Sequence, residues 1–183
     1  MHEESHYEID RILEEMRTDY WRNLEVVAED AEETWSEYLI VRIGDKPYGL
    51  PATGCREVLK LPHLVRVPRL PVHLRGVFNL RGEIIAVTDL RPLLGHQVEE
   101  VVSGARLVVV ESSEVRTALL VDAVEGLSRV DDERVEPLAE GAAQGVRDLV
   151  RGKLIEDDKV LVLIDLQRLL VRPDMVVDQK KQD

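Results

Sequence analysis

The feature that most constrains this chain is an ungapped self-match at a spacing of 76 residues. Moved downstream by that interval, Gly76 falls on Gly152, Ile84-Ile85 on Val160-Leu161, and Val87 on Leu163. Asp89-Leu90 then falls on Asp165-Leu166, and Leu93-Leu94 on Leu169-Leu170. Two copies make a duplicated supersecondary unit rather than a solenoid, which needs at least three repeats to bury its faces. Each unit opens on a Gly, runs through a turn into an apolar segment, and reaches an Asp that starts a short Leu-Leu stretch. Asp89 and Asp165 suit a helix N-cap, where a carboxylate accepts the backbone N–H groups of the first turn.

The turns inside the two units differ. The first has Asn79-Leu80-Arg81-Gly82, the second Ile155-Glu156-Asp157-Asp158. Gly82 is explained by a turn position with positive φ. Arg81 is not explained that way, because the second copy serves the same architecture without a cation. Arg81 is therefore the leading candidate for function, the alternative being an internal ion pair with Glu57 or Glu83.

Composition narrows the functional classes. Val and Leu dominate the apolar residues and only one Phe is present, which suits many short strands. A formal charge of −12 argues against nucleic-acid binding, which needs clustered Lys and Arg. Most of that charge is at the start: residues 1–37 hold 13 acids against Arg11, Arg17 and Arg22. The single Cys55 excludes an internal disulfide and a thiolate zinc site, as expected of a reducing compartment. No apolar run reaches the ~20 residues needed to span a bilayer, so direct membrane insertion is not expected and a cytoplasmic protein is.

Residues 6–33 read as one amphipathic helix, with Ile12, Val27 and Ala31 extending a face of Ile9, Leu13, Met16, Tyr20 and Leu24. That stripe packs on the domain behind it or docks a partner, since an isolated helix of this length is marginal in water. From Ser36 the period becomes strand-like. Tyr38–Ile43 and Tyr48–Leu50 form a hairpin around a four-residue turn, Gly44 to Pro47. Cys55–Leu61 is a strand with a helical lead-in, and Leu64–Val67, between prolines, is an edge or short strand. Arg106–Val110 with Ala118–Val121 makes a second hairpin, Val124–Val130 a further strand, and Gly141–Gly145 a loop. About ten short strands predict a mainly β, barrel-type architecture in two related halves that form one unit. Residues 1–35 are a helical extension, 36–172 the domain, and 173–183 a polar tail.

A catalytic constellation is missing. The chain has no phosphate-binding Gly-rich loop, nucleophile elbow or zinc-helix motif, and its five His show no ligand spacing. Cys55 near His63 or His73 lacks an orienting third group, so packing is the better reading. No cofactor or metal is expected.

The residues do resemble a family. Tyr38-Leu-Ile-Val-Arg-Ile-Gly-Asp-Lys-Pro-Tyr-Gly-Leu50, Glu57-Val58, Val67-Pro68, Gly76-Val-Phe-Asn-Leu-Arg-Gly82 and Val87-Thr-Asp-Leu90 are similar to the CheW domain of bacterial chemosensory adaptors. The resemblance implies two five-stranded SH3-like barrels packed together. It also implies a non-enzymatic scaffold joining the cytoplasmic tips of chemoreceptors to a CheA-type histidine kinase, through the kinase's regulatory domain. Receptor contact in the family lies in a groove between the barrels, and the positions affecting it correspond here to Cys55, Gly76 and Arg81. Val is usual where this chain has Cys55. The N-terminal helix lies outside the resemblance, which leaves open a CheW-like module whose helix recruits another partner.

Overall fold

The computed structural model describes residues 34–175; the expected helix with its Ile9–Leu24 face, and most of the polar tail, lie outside the described residues. Trp35 begins a compact unit. Ten strands occur among the described residues: β1 (Trp35–Ile43), β2 (Lys46–Pro51), β3 (Cys55–Lys60), β4 (Leu74–Leu80), β5 (Glu83–Asp89), β6 (Arg106–Glu111), β7 (Arg116–Val121), β8 (Ala123–Asp131), β9 (Val150–Glu156) and β10 (Lys159–Ile164). Three short helices accompany them: α1 (Leu90–Leu93), α2 (Gln144–Arg147) and α3 (Leu166–Leu170). No described helix is long and apolar enough to cross a membrane.

The strands form two five-stranded sheets with orders β8-β1-β2-β10-β9 and β3-β6-β7-β5-β4. The orders are equivalent position by position, each with one parallel pair, β2 with β10 and β5 with β7. A bridge draws the segment after β3 onto β4 (Val65 to Val77), and another draws the segment after β8 onto β9 (Glu136 to Lys153). Each sheet thereby curls into a small barrel.

The chain does not fill the barrels in sequence order. The first barrel takes β1, β2, β8, β9 and β10, and the second takes β3 to β7. After its opening hairpin the chain crosses to the second barrel at β3, and it returns at β8. The two related halves of the sequence are thus interleaved.

Both copies of the repeat keep their register. Gly76 pairs with Val87 and Gly152 with Leu163. Asp89 N–H donates to the His73 carbonyl at 2.7 Å, and Asp165 N–H to that of Leu149 at 2.9 Å. The carboxylates cap as the sequence predicts: Asp89 accepts from Arg91 N–H and Asp165 from Arg168 N–H, each at 3.0 Å.

Three apolar clusters follow from strand alternation. Val108, Val110, Leu119 and Val121 join Leu39, Val41, Ile43, Leu90, Leu166 and Leu169 in a core shared by both barrels. Their strand neighbours Leu107, Val109, Ala118 and Leu120 turn the other way, onto Phe78, Ile85 and Val87 inside the second barrel. Tyr38, Val130, Leu154 and Leu163 fill the first. Strands buried on both faces explain the unbroken apolar runs of β6 and β7. The first hairpin differs from expectation in its turn. Ile43 pairs with Lys46, so only Gly44 and Asp45 form the loop, and Gly44 takes φ 62°.

Buried polar groups tie the barrels together. Asp122 lies where the chain passes from β7 to β8, and it is ion-paired with Arg91 of α1 while both side chains are buried. Its second oxygen accepts Gly44 N–H at 2.6 Å, and Arg91 also donates to the Glu99 carbonyl at 3.1 Å.

Candidate functional site

The β4–β5 hairpin is joined by two residues, Arg81 at φ 53° and Gly82 at φ 94°. Both are left-handed, the requirement of a type I′ turn, whose twist matches that of the flanking strands. The counterpart turn uses Asp157 (φ 48°) and Asp158 (φ 61°) in the same two places. A non-Gly residue there costs roughly 1–2 kcal/mol, so the backbone alone would favour Asn or Gly over Arg at position 81. Asn79 offsets part of that cost by accepting Gly82 N–H at 2.8 Å.

From this turn the Arg81 side chain reaches β3. Its two terminal nitrogens meet the two Glu57 oxygens at 3.0 and 2.8 Å, a bidentate pair. The guanidinium nevertheless stays 76% exposed. A second set of charges runs beside it. Arg56 meets Glu111 at 2.9 Å, Arg116 meets Glu111 at 2.9 Å, and Arg116 meets Glu83 at 2.5 Å. Hydrogen bonding from Arg56, then the charge of Arg116, holds the Glu111 carboxyl below its ordinary range. Arg56, Glu57, Arg81, Glu83 and Arg116 rim a groove of about 630 Å³, with Leu80 and Val109 as its apolar lining; all seven belong to the second barrel rather than to a cleft between the two. The arrangement suits recognition by fixed charges around an apolar floor. No cluster of metal-binding type occurs among the described residues.

The other two sequence candidates sit differently. Cys55 opens β3, two residues before Glu57, and its thiol contacts the Pro51 carbonyl at 3.4 Å while packing on the shared core. Burial pushes that thiol up to about 11. A thiol so rarely ionised is a poor nucleophile near neutrality. Native protein at pH 8 is expected to alkylate with iodoacetamide at least about tenfold more slowly than unfolded protein. Equal rates, followed by mass spectrometry, would show the thiol to be accessible.

Gly76 is buried on β4 at φ 141°, and a Cβ built there would stand 2.5 Å from the Val65 carbonyl oxygen. Its place is structural, under the segment that closes the barrel. The fold therefore links Arg81 to the strand of Cys55 through Glu57, while neither Cys55 nor Gly76 is among the residues lining the groove.

Sequence reasoning missed Arg56, Glu111 and Arg116. Glu111 ends β6 and Arg116 starts β7, so a charge at each strand end was a usable signal; Arg56 joins them only through the fold.

Comparison with known proteins bears on this site. A family model described as the CheW-like domain matches residues 37–174. The probable chemotaxis protein CheW of Rhizobium etli is 30% identical over 133 residues, covering 73% of this chain and 86% of that protein. The chemotaxis protein CheW of Klebsiella aerogenes is 26% identical over 146 residues, 80% of this chain and 88% of that one. Among solved structures, the scaffolding protein TtCheW from Thermoanaerobacter tengcongensis superposes with a TM-score of 0.64 at 28% identity, covering 71% of this chain and 88% of the other.

Proposed function

The chain belongs to the CheW-like domain family, and from that premise we propose that it is a non-enzymatic adaptor coupling chemoreceptors to a histidine kinase in a bacterial chemosensory pathway. Its site of action is the cytoplasmic tip of the receptor, and its second partner is the kinase's regulatory domain. Relatives that are chemotaxis and scaffolding proteins over most of their length support this reading.

The observation that carries it is the place of Arg81. A cation occupies a strained turn position that the first barrel fills with Asp157, and its guanidinium is held open on a rigid hairpin. An exposed pair such as Arg81–Glu57 is worth only about 0.2–1 kcal/mol, so it gives way readily to carboxylates or carbonyls on a partner helix. Cys55 and Gly76 contribute from behind, by setting β3 and β4. Leu80 adds apolar area next to the charge.

Arg81→Glu is expected to weaken co-sedimentation with receptor-containing membranes by about thirtyfold, or ~2 kcal/mol, the scale of an arginine hot spot. Fold stability is expected to fall by no more than about 1 kcal/mol, the worth of the exposed Arg81–Glu57 pair. A variant that melts several degrees lower while its folded fraction still binds receptor would make Arg81 a structural residue instead.

A further inference from the structure

The connection from β3 to β4 differs in chemistry from its counterpart between β8 and β9. Between the two strands, residues 61–73, the sequence contains Arg66 and Arg69 and not one acid. The equivalent connection in the first barrel, residues 132–149, carries Asp132, Glu133, Glu136, Glu140 and Asp148 against Arg134 and Arg147. Both connections make the same barrel-closing bridge, so closure does not require either sign of charge.

We propose that the β3–β4 connection is a docking surface for an extended acidic segment of a partner protein, one that alternates carboxylates with apolar side chains. Arg66 and Arg69 are exposed and make no ion pair or hydrogen bond among the described residues. Between and beside them Val65 is 59% and Val72 64% exposed, with Val67 also exposed. Apolar area alternating with unpaired guanidinium groups matches a ligand of the same period and opposite charge.

The backbone is equally open. Val65 exchanges both its hydrogen bonds with Val77, at 2.8 and 2.9 Å, so the inner edge of this segment is used. In an antiparallel pair the flanking residues turn their N–H and C=O groups the other way. At Leu64 and Arg66 those groups find no partner among the described residues. A partner strand added along that edge pairs them, with main-chain bonds supplying affinity and the Arg and Val side chains specificity. Pro62, Pro68 and Pro71 stiffen the connection, which lowers the entropy lost on binding. Arg69 is held at φ 63°, a conformation retained at a cost that turn geometry with Gly or Asn would avoid.

A protein segment fits better than an anionic membrane. An extended strand offers main-chain donors and acceptors at the spacing of the open Leu64 and Arg66 groups, which a lipid headgroup does not repeat.

The test uses the full chain and a fluorescein-labelled peptide of alternating glutamate and valine, followed by fluorescence anisotropy at low ionic strength. Saturable binding is expected, weakened by added salt and by at least about tenfold in Arg66→Glu/Arg69→Glu, whose melting temperature should match wild type. Arg81→Glu is expected to weaken this binding much less than the double variant does, which separates the surface from the receptor site. Absence of binding, equal binding of a lysine–valine peptide, or full binding by the double variant would each overturn the proposal. Equal loss in Arg81→Glu would merge the surface with the receptor site. Sedimentation with phosphatidylserine vesicles that needs Arg66 and Arg69, without peptide binding, would replace the protein partner with a lipid surface.

Discussion

Asp122→Ala is expected to cost about 3 kcal/mol of folding stability, because it removes the nearer counter-charge of the buried Arg91 guanidinium and leaves only Asp89, 3.9 Å away. Gly44 N–H also loses its acceptor. The loss should appear in urea denaturation as a lower midpoint at unchanged slope. Replacing the pair together, Arg91→Met with Asp122→Leu, should recover much of it, since a buried ion pair barely exceeds its own desolvation cost. A fall of less than about 1 kcal/mol in the single variant would mean that water reaches Arg91 and that the pair is not a bond between the barrels.

The second large effect is expected at Gly76. An alanine there meets the Val65 carbonyl oxygen at 2.5 Å and must hold φ 141°, so the chain yields either at the strand or at the closing bridge. A cost of about 2–4 kcal/mol follows from strain and overpacking together. Gly82→Ala is the control. Its φ of 94° is also left-handed, but nothing lies within 4 Å of the added methyl, so only the strain remains. If both variants lose the same stability, the contact with Val65 is not what selects glycine at position 76. A receptor-binding defect in Gly76→Ala would then be read through altered β4, since no side chain at that position faces a partner.

The repeat made much of this fold legible. A spacing of 76 residues predicted two caps and two hairpins, and the register preserves it down to the Gly76–Val87 and Gly152–Leu163 pairs. The contrast between Arg81 and Asp157 was visible for the same reason, because a duplicated frame lets one copy serve as the control for the other. Interleaving was not visible. Nothing in the residues of β3 says that it leaves β2 to pair with β6, since strand pairing is decided by distant partners. The Arg91–Asp122 pair was hidden likewise: a buried ion pair between distant residues has no local pattern to reveal it. The two-residue turn at Gly44-Asp45 was lengthened in the sequence reading because Pro47 looks like a turn residue. It sits instead at the start of β2, paired with Arg42, where Pro is tolerated.

The exchange of β3 and β8 has a consequence for how the protein is made. A ribosome releases β1 and β2 first, but their barrel waits for β8, β9 and β10. The second barrel has all its strands once Val121 has emerged. At about 5–20 residues per second, the roughly 100 residues between Pro51 and Val150 take some 5–20 s. β1 lacks β8 until Asp131 has emerged, and β2 lacks its parallel partner β10 until Ile164 has. The barrel whose strands start to emerge first is the last to close, so the nascent chain presents an apolar hairpin to the cell before it presents a finished surface.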